Sequence, residues 1–356
     1  MTKLTLFGAG KIGEAIVHLL SRTGDYRLRV VDSDPQRFAP MKAMDVECIT
    51  ADVRDERQLD DLVRGQDVVV SAFPYYITPL IAAAARRGGA HYFDLTEDVE
   101  VTRQVMELAK GAKSAFVPQC GLAPGFISIA AHDLAMRFER LRDVHMRVGA
   151  LPTYPSNTLK YNLTWSTDGL INEYCNPCLA IRDGQAIETL PLEEVESFSL
   201  DGIDYEAFNT SGGLGTLSET LKGRVENLNY KTVRYPGHRD IVKTLVRDLR
   251  LDRRRDLLKD VLEAAIPMTK QDVVLIFVSV TGEKEGRLQQ DTFAKKIYAR
   301  EIDGRLFSAI QITTAAGICA MVDLLVEGKL PQSGFVRQEQ APLADFLANR
   351  FGSYYA

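Results

Sequence analysis

The chain has 356 residues, 46% hydrophobic and 26% charged, with 43 Lys and Arg against 48 Asp and Glu for a net charge of −5. That length exceeds the usual single core and leaves room for two domains. Acids and bases are interspersed, so the chain lacks the basic footprint of a nucleic-acid or anionic-membrane binder; the run Arg250 to Arg255 is broken by Leu251 and Asp252 and reads as a solvated helix end.

The first elements carry the strongest signal. The apolar run Leu4-Thr5-Leu6-Phe7 leads into Gly8-Ala9-Gly10-Lys11-Ile12-Gly13, and a helix pattern follows over 12–20. In such a strand–turn–helix, Gly8 permits the tight turn, Gly10 lets the backbone approach a pyrophosphate, and Gly13 lets helix and strand pack closely. The helix start at Lys11 and Ile12 offers N–H groups and positive dipole to phosphates. The next strand, 28–31, ends in Asp32. Asp32 is expected to accept hydrogen bonds from the adenosine ribose hydroxyls and to repel a 2′-phosphate, favouring NAD over NADP.

Strand and helix patterns alternate to about residue 120, as in a parallel sheet with crossover helices. A third strand over 47–51 ends at Asp52-Val53, beside the expected adenine pocket. A short helix over 59–63 precedes a buried strand over 67–72. Ligands bind beyond the carboxyl ends of such strands, so Ser71, Ala72, Phe73 and Pro74 should border the cofactor. A helix over 79–87 and a strand over 91–95 bring Thr96, Glu97 and Asp98 to the same rim. A helix over 99–110 and a strand over 115–118 lead to Cys120 and Gly121, expected at the nicotinamide end. A Gly/Pro turn over 121–125 then opens a helix over 126–137.

From about residue 140, strand-like runs dominate: 144–149, 159–165, 228–235, 272–283 and 288–302. Helices over 240–249 and 256–265 interrupt them. The last two runs flank a Glu-Lys-Glu-Gly turn and form a long antiparallel hairpin, whose open edge points to a homodimer. The helix over 309–327 is too apolar to stand alone and is expected to return to the first domain. The fold class is an α/β Rossmann domain with a parallel sheet (1–120, joined by 309–356) and a mixed α+β substrate domain with a largely antiparallel sheet (121–308).

No apolar stretch is read as reaching the roughly 18 residues that span a bilayer, and the chain opens into a strand without a signal-peptide pattern. Five scattered cysteines fit the reducing cytoplasm. Cys175-Asn176-Pro177-Cys178 has no second pair or nearby His, so two unlinked thiols and no metal site are expected. Trp165, the only Trp, precedes a polar turn over 166–174 and reads as core or pocket wall. The segment 231–238 is the densest polar cluster of the second domain. There Arg234 can clamp a carboxylate bidentately, and His238 can orient substrate or move protons. His18, His91, His132 and His145 read as structural, without partners.

The strings GAGKIG at 8–13, CGLAPG at 120–125, WSTDGLINEY at 165–174, TSGGLGTL at 210–217 and YKTVRYPGH at 230–238 resemble the saccharopine dehydrogenase family over nearly the full length. Within it, the chain looks most like the lysine 6-dehydrogenase branch. The resemblance implies an NAD(P) Rossmann domain, a mixed substrate domain, a returning C-terminal segment and a dimer or higher oligomer. Saccharopine reductases commonly carry GLDPG where this chain has Ala123, which leans toward an amine-oxidising relative. The implied reaction is NAD-dependent oxidation of the terminal amine of L-lysine or a similar diamino acid to an aldehyde that cyclises to an imine, with release of ammonia. In it Arg234 would hold the α-carboxylate, Trp165 the aliphatic stem, and Tyr174 and Lys231 would belong to the same pocket. Glu97, Asp98 or His238 would serve as base, and Cys120 would face the nicotinamide. Two alternatives stand beside it: a saccharopine- or carboxyspermidine-type reductase acting on a secondary amine, with Lys231 or Arg224 as a further cation, and a non-catalytic NAD-binding regulator.

Overall fold

The computed structural model describes all 356 residues. In chain order the elements are β1 (Thr2–Phe7), α1 (Lys11–Ser21), β2 (Tyr26–Asp32), β3 (Val46–Thr50), α2 (Glu56–Val63), β4 (Val68–Ser71), α3 (Thr78–Gly88), β5 (His91–Asp94), α4 (Val99–Ala109), β6 (Ala115–Val117) and α5 (Phe126–Ala135). There follow β7 (Arg140–Pro152), α6 (Thr167–Cys175), β8 (Cys178–Arg182), β9 (Gln185–Thr189), β10 (Glu196–Leu200), β11 (Ile203–Asn209), α7 (Leu217–Thr220) and β12 (Val225–Arg234). The remainder is α8 (His238–Lys243), α9 (Arg255–Ala265), β13 (Asp272–Lys284), β14 (Arg287–Tyr298), β15 (Arg300–Ile302), β16 (Arg305–Phe307), α10 (Ala309–Val326), β17 (Gly334–Phe335) and α11 (Leu343–Ala348). The chain divides into two compact units, Met1–Ile129 with Gln311–Ala356, and Ala130–Ile310.

The first unit is a seven-stranded parallel sheet in the order β17-β6-β5-β4-β1-β2-β3. Crossover helices cover both faces of such a sheet, which is why β4 reads Val-Val-Val-Ser with all four residues buried. Asp55 and Asp98 accept N–H bonds at the starts of α2 and α4, and α3 stops at Gly89 in the left-handed conformation. The edge strand β17 comes from the far end of the chain and pairs with β6. The last residues of the chain are tied to the same unit by Tyr355, which stacks 4.0 Å from Phe126 and whose hydroxyl donates to the Thr313 carbonyl at 2.6 Å. Helix α10 corrects an expectation. Its 18 residues, of mean hydropathy 1.8, are long and apolar enough to cross a bilayer, yet 83% of it is buried inside this protein. Core packing therefore accounts for its composition.

The second unit is built on a mixed sheet in the order β10-β11-β12-β7-β13-β14, with β8 pairing β12 and β9 pairing β8. Only the β12–β7 pair is parallel. The long hairpin runs without a slip from Val273↔Tyr298 to Lys284↔Arg287, and Glu285-Gly286 turns it with both residues at positive φ, as a tight two-residue turn requires.

Three expectations fail here. The segment 159–165 is not a strand; it makes only a single bridge, Leu163↔Met268. The polar turn after Trp165 is the helix α6, because Ser166 Oγ accepts the Gly169 N–H at 3.2 Å and starts it. The helix expected over 240–249 ends at Lys243 and continues as a wider π-type turn over Thr244–Asp248. The histidines expected to lack partners have them: His91 Nδ1 accepts the Ala115 N–H, His145 pairs with Asn229, and His18 and His132 are engaged as well.

Candidate active site

The cradle in the first unit is made by three glycines with different reasons for being glycine. A Cβ on Gly13 would lie 1.9 Å from the Gly8 carbonyl oxygen, and one on Gly8, at φ +108, would lie 2.9 Å from Ala72 backbone. Those two are demanded by the protein's own packing. A Cβ on Gly10 would meet nothing within 4 Å, and its φ of −71 with ψ −170 is open to any residue. Gly10 thus clears space that the fold itself leaves empty, at the N-terminus of a helix with no side-chain cap. The donor set and the cleared space fit the pyrophosphate of a dinucleotide. Lys11 and Ile12 form the first turn of that helix, and the Lys11 carbonyl accepts from Gln311 at 3.1 Å.

Asp32 does not stand where its sequence position suggested. It is fully buried; Oδ2 accepts the Ala9 N–H at 2.8 Å and Oδ1 the Asp34 N–H at 3.0 Å. Arg37 reaches it at 3.4 Å and also pairs with Asp34 at 3.7 Å. The carboxylate locks the glycine turn to the end of β2 instead of presenting two oxygens to a ribose. Asp52 is likewise engaged, by Arg54 at 2.8 Å, and Val53 is buried core. Beyond β4, the Ala72 N–H bonds the Phe7 carbonyl, Ser71 Oγ lies 3.4 Å from Thr78 Oγ1, Phe73 packs on the core, and the Pro74 carbonyl receives Ile77 at the start of α3. This loop is held rigidly along the rim.

The end of β5 is organised by Asp94, which sequence reasoning passed over. Its buried carboxylate accepts from the Gln119 and Thr96 N–H groups and the Tyr92 hydroxyl, each at 3.0 Å. Burial pushes its pKa up to about 6 against those bonds. One residue thereby fixes both rim loops, 96–98 and 119–121. Asp98 is the N-cap of α4, its Oδ1 accepting the Val101 N–H at 2.9 Å, and Glu97 sits half-buried beside it. Cys120 is corrected as a catalytic candidate. It is wholly buried, donates to the Val117 carbonyl at 3.0 Å and receives Gln338 Nε2 at 3.1 Å. Burial and the nearby Asp94 push its thiol well up, so it carries no reactive thiolate. The Gly121 carbonyl starts α5 by accepting the Phe126 N–H, and Gly125, at φ +132, has no room for a Cβ.

In the second unit, α6 and β12 bring Arg234, Tyr174, His238, Tyr161 and Glu173 together. Arg234 is 2% exposed. Its Nε donates to Tyr174 Oη at 3.0 Å and its Nη1 to the Val233 carbonyl at 2.9 Å. The guanidinium lies 4.9 Å from the Tyr161 ring centre, with Nη2 3.9 Å from Glu173. His238 Nδ1 is 2.9 Å from the Leu159 carbonyl, so it must carry the proton, and Nε2 accepts from Tyr174 Oη at 3.0 Å. The hydrogen bonds therefore run in one direction, from Arg234 through Tyr174 to His238. Burial, aided by Arg234, pushes the His238 pKa down to about 3. Burial also opposes the charge of Arg234, but Tyr174, Tyr161 and Glu173 outweigh it and raise its pKa.

This geometry corrects three assignments. His238 is a neutral imidazole with both nitrogens engaged, not a base poised near neutrality. Arg234 is not a free bidentate clamp, since Nε and Nη1 are hydrogen-bonded and Nη2 faces Glu173. Lys231 lies on the other face of β12, as alternation along a strand requires, with Nζ 2.7 Å from the Glu194 carbonyl. Trp165 packs against the helical core of this unit. Glu173 and Tyr161 were missed; Glu173 stood unremarked beside Tyr174 in the sequence string.

Residues 4–117 match the saccharopine dehydrogenase NADP binding domain, and residues 121–352 the saccharopine dehydrogenase C-terminal domain. Among curated proteins, the chain is 19% identical over 320 residues to the mitochondrial alpha-aminoadipic semialdehyde synthase of Bos taurus, covering 83% of this chain and 33% of that one. It is 24% identical over 263 residues to saccharopine dehydrogenase [NADP(+), L-glutamate-forming] of Saccharomyces cerevisiae, covering 68% and 56%. The chain thus spans about a third of the length of the synthase and just over half of the yeast protein. Among solved structures, apo saccharopine dehydrogenase (L-Glu forming) from Saccharomyces cerevisiae superposes with a TM-score of 0.80 at 18% identity, covering 99% of this chain and 98% of that one. That likeness establishes the shared fold.

Proposed function

Because the chain belongs to the saccharopine dehydrogenase family, we propose that it is a nicotinamide-dinucleotide-dependent oxidoreductase acting on a carbon–nitrogen bond of an amino acid. The observation that carries this reading is the empty space at Gly10, which a dinucleotide's phosphates explain and the protein's own packing does not. When bound, the dinucleotide supplies the hydride acceptor. NAD is the favoured form. Arg37 is already paired with Asp32 and Asp34, so a 2′-phosphate at the end of β2 would face the Asp34 carboxylate and a guanidinium whose charge is already matched.

The substrate in this reading is L-lysine or a similar diamino acid, oxidised at its terminal amine to an aldehyde that cyclises, with release of ammonia. Ala123 leaves the 121–125 turn without a carboxylate, while Glu97 and Asp98 supply the acids suited to an ammonium group. An ammonium has no lone pair to assist oxidation, so a base must first take its proton. Glu97 and Asp98 are the candidates for that task; His238 is neutral and doubly bonded.

The test is absorbance at the reduced-nicotinamide band with NAD or NADP and lysine, ornithine or saccharopine, with ammonia assayed in parallel. Reduction with lysine and one ammonia per turnover supports the proposal. Reduction with saccharopine alone moves the assignment to a secondary amine. Dinucleotide binding without reduction on any amine moves it to a nucleotide-binding regulator.

A further inference from the structure

Helix α10 meets the rest of the first unit along one side. Gln311, Thr314 and Gly317 recur every third residue there, so they follow one another along the helix surface. Gln311 Nε2 donates to the Lys11 carbonyl at 3.1 Å, beside the glycine turn. Gly317 packs beneath the loop after β6, where a Cβ would lie 2.8 Å from the Cys120 carbonyl oxygen and 3.0 Å from that of Gly121. The six residues from Gln311 to Gly317 rise ~9 Å. This side of the helix therefore runs from the start of α1, where the phosphates belong, to the Gly/Pro turn at Gly121. Thr314 stands midway, its Cγ2 4.0 Å from where a Cβ of Gly121 would sit. Between Ala309 and Leu325 it is the only residue that is not buried. Its hydroxyl has no partner in the chain. Helical threonines can return the hydroxyl to the carbonyl four residues back, as Thr102 does to Asp98 at 2.9 Å and Thr244 to Asp240 at 3.0 Å. Thr314 does not.

We propose that the Thr314 hydroxyl hydrogen-bonds the nicotinamide riboside end of the dinucleotide, so that the C-terminal segment completes a site begun at the other end of the chain. The assignment rests on the dinucleotide reading given above. A hydroxyl donates and accepts, which suits the ribose hydroxyls and the carboxamide of that end. The contact belongs to a side chain and not to the helix terminus, because the leading N–H groups of α10, on Ala309 and Ile310, are already taken by Asp272. Gln311 and Gly317 act as positioning residues. One ties the helix to the start of α1, and the other lets it lie close under the Cys120 and Gly121 carbonyls. All of these contacts toward α1 and the Gly121 turn lie within the first unit.

The experiment is calorimetric titration of the full chain with NAD or NADP, whichever binds more tightly, and separately with ADP, which lacks the nicotinamide riboside. Thr314→Val exchanges the hydroxyl for a methyl group of like size. Because that hydroxyl binds nothing in the chain, the melting temperature should stay near wild type. The expected result is a dinucleotide affinity reduced about three- to tenfold, the worth of one hydrogen bond, with ADP affinity unchanged. Thr314→Ser, which keeps the hydroxyl, should restore most of the loss. Should Thr314→Val unfold, Thr314→Ala reads the same hydroxyl. Full dinucleotide affinity without the hydroxyl overturns the assignment and leaves the cofactor reading standing. A loss shared equally by ADP also overturns it, since the disturbance would then lie in the phosphate cradle. A wild type that binds neither dinucleotide overturns the assignment together with the reading beneath it.

Discussion

The carboxylate of Asp32 accepts the N–H of Ala9 at 2.8 Å, across 23 residues of chain. The acid that closes one strand is thereby part of the glycine turn that follows its neighbour. Its second oxygen steadies the loop beyond β2 through Asp34.

Asp32→Ala should therefore cost about 2–3 kcal/mol of stability, because two backbone N–H groups lose their acceptor, and should weaken NAD and NADP together. Asp34→Ser should instead raise NADP binding relative to NAD, by removing the exposed carboxylate near the 2′ position and leaving Arg37 freer to meet a phosphate. Denaturant unfolding and dinucleotide titration read both effects. An unchanged unfolding midpoint for Asp32→Ala would contradict the locking role.

The glycines separate in the same assays. Gly13→Ala forces a Cβ against the Gly8 carbonyl and should destabilise by more than about 3 kcal/mol. Gly10→Ala should leave the melting temperature near wild type or slightly higher, while weakening dinucleotide binding at least tenfold. Undiminished binding by Gly10→Ala would remove the main support for the cradle.

Tyr174→Phe deletes the hydroxyl that receives Arg234 and serves His238. The expected loss is about 3 kcal/mol, since two buried partners are stranded at once. Chemical denaturation measures it. A loss no greater than that of a lone methyl would show that the directed chain is not coupled.

Stability against pH should carry two opposed contributions. The native His238 imidazole sits near 3 against 6.5 unfolded, so its contribution is present above about pH 6.5 and fades as the pH falls toward 3. The native Asp94 carboxyl sits near 6 against 3.8, so its contribution is present below about pH 4 and is lost as the pH rises through 6. Relative to the wild type, Asp94→Asn should thus gain stability at pH 7 over pH 4.5, on the order of 2 kcal/mol. His238→Gln should flatten the acid limb by up to ~1.4 kcal/mol per pH unit. Thermal melts from pH 4 to 8 test both, with NMR of His238 as an internal check: its resonances should not titrate between pH 5 and 8.

The first unit was legible because each signal there is local. A strand's apolar run, a glycine turn and a helix's period lie within twenty residues, and parallel strands buried on both faces read as continuous Val runs. In the second unit, the short strands between Cys178 and Asn209 were overlooked although their turns are written plainly. Asp183-Gly184 and Asp201-Gly202 are both two-residue turns at positive φ, the strongest short-range hairpin signal. What the sequence could not disclose is orientation. Lys231 and Arg234 are near neighbours in one polar string, yet three steps along a strand put them on opposite faces. The readings of Asp32, Cys120 and His238 erred for a related reason: residue type names a possible chemistry, and only burial and partners decide whether the group is available for it.

Strand β6 ends at Val117, and the strand completing its outer side, β17, begins at Gly334. On a ribosome adding 5–20 residues each second, the sheet waits about 10 to 40 s for its last strand. Throughout that interval the β6 edge stays open while the whole second unit is synthesised. The nascent nucleotide-binding half is therefore a natural client for chaperones that shield unpaired strand edges, and a nonsense mutation late in the message would strand it in that condition.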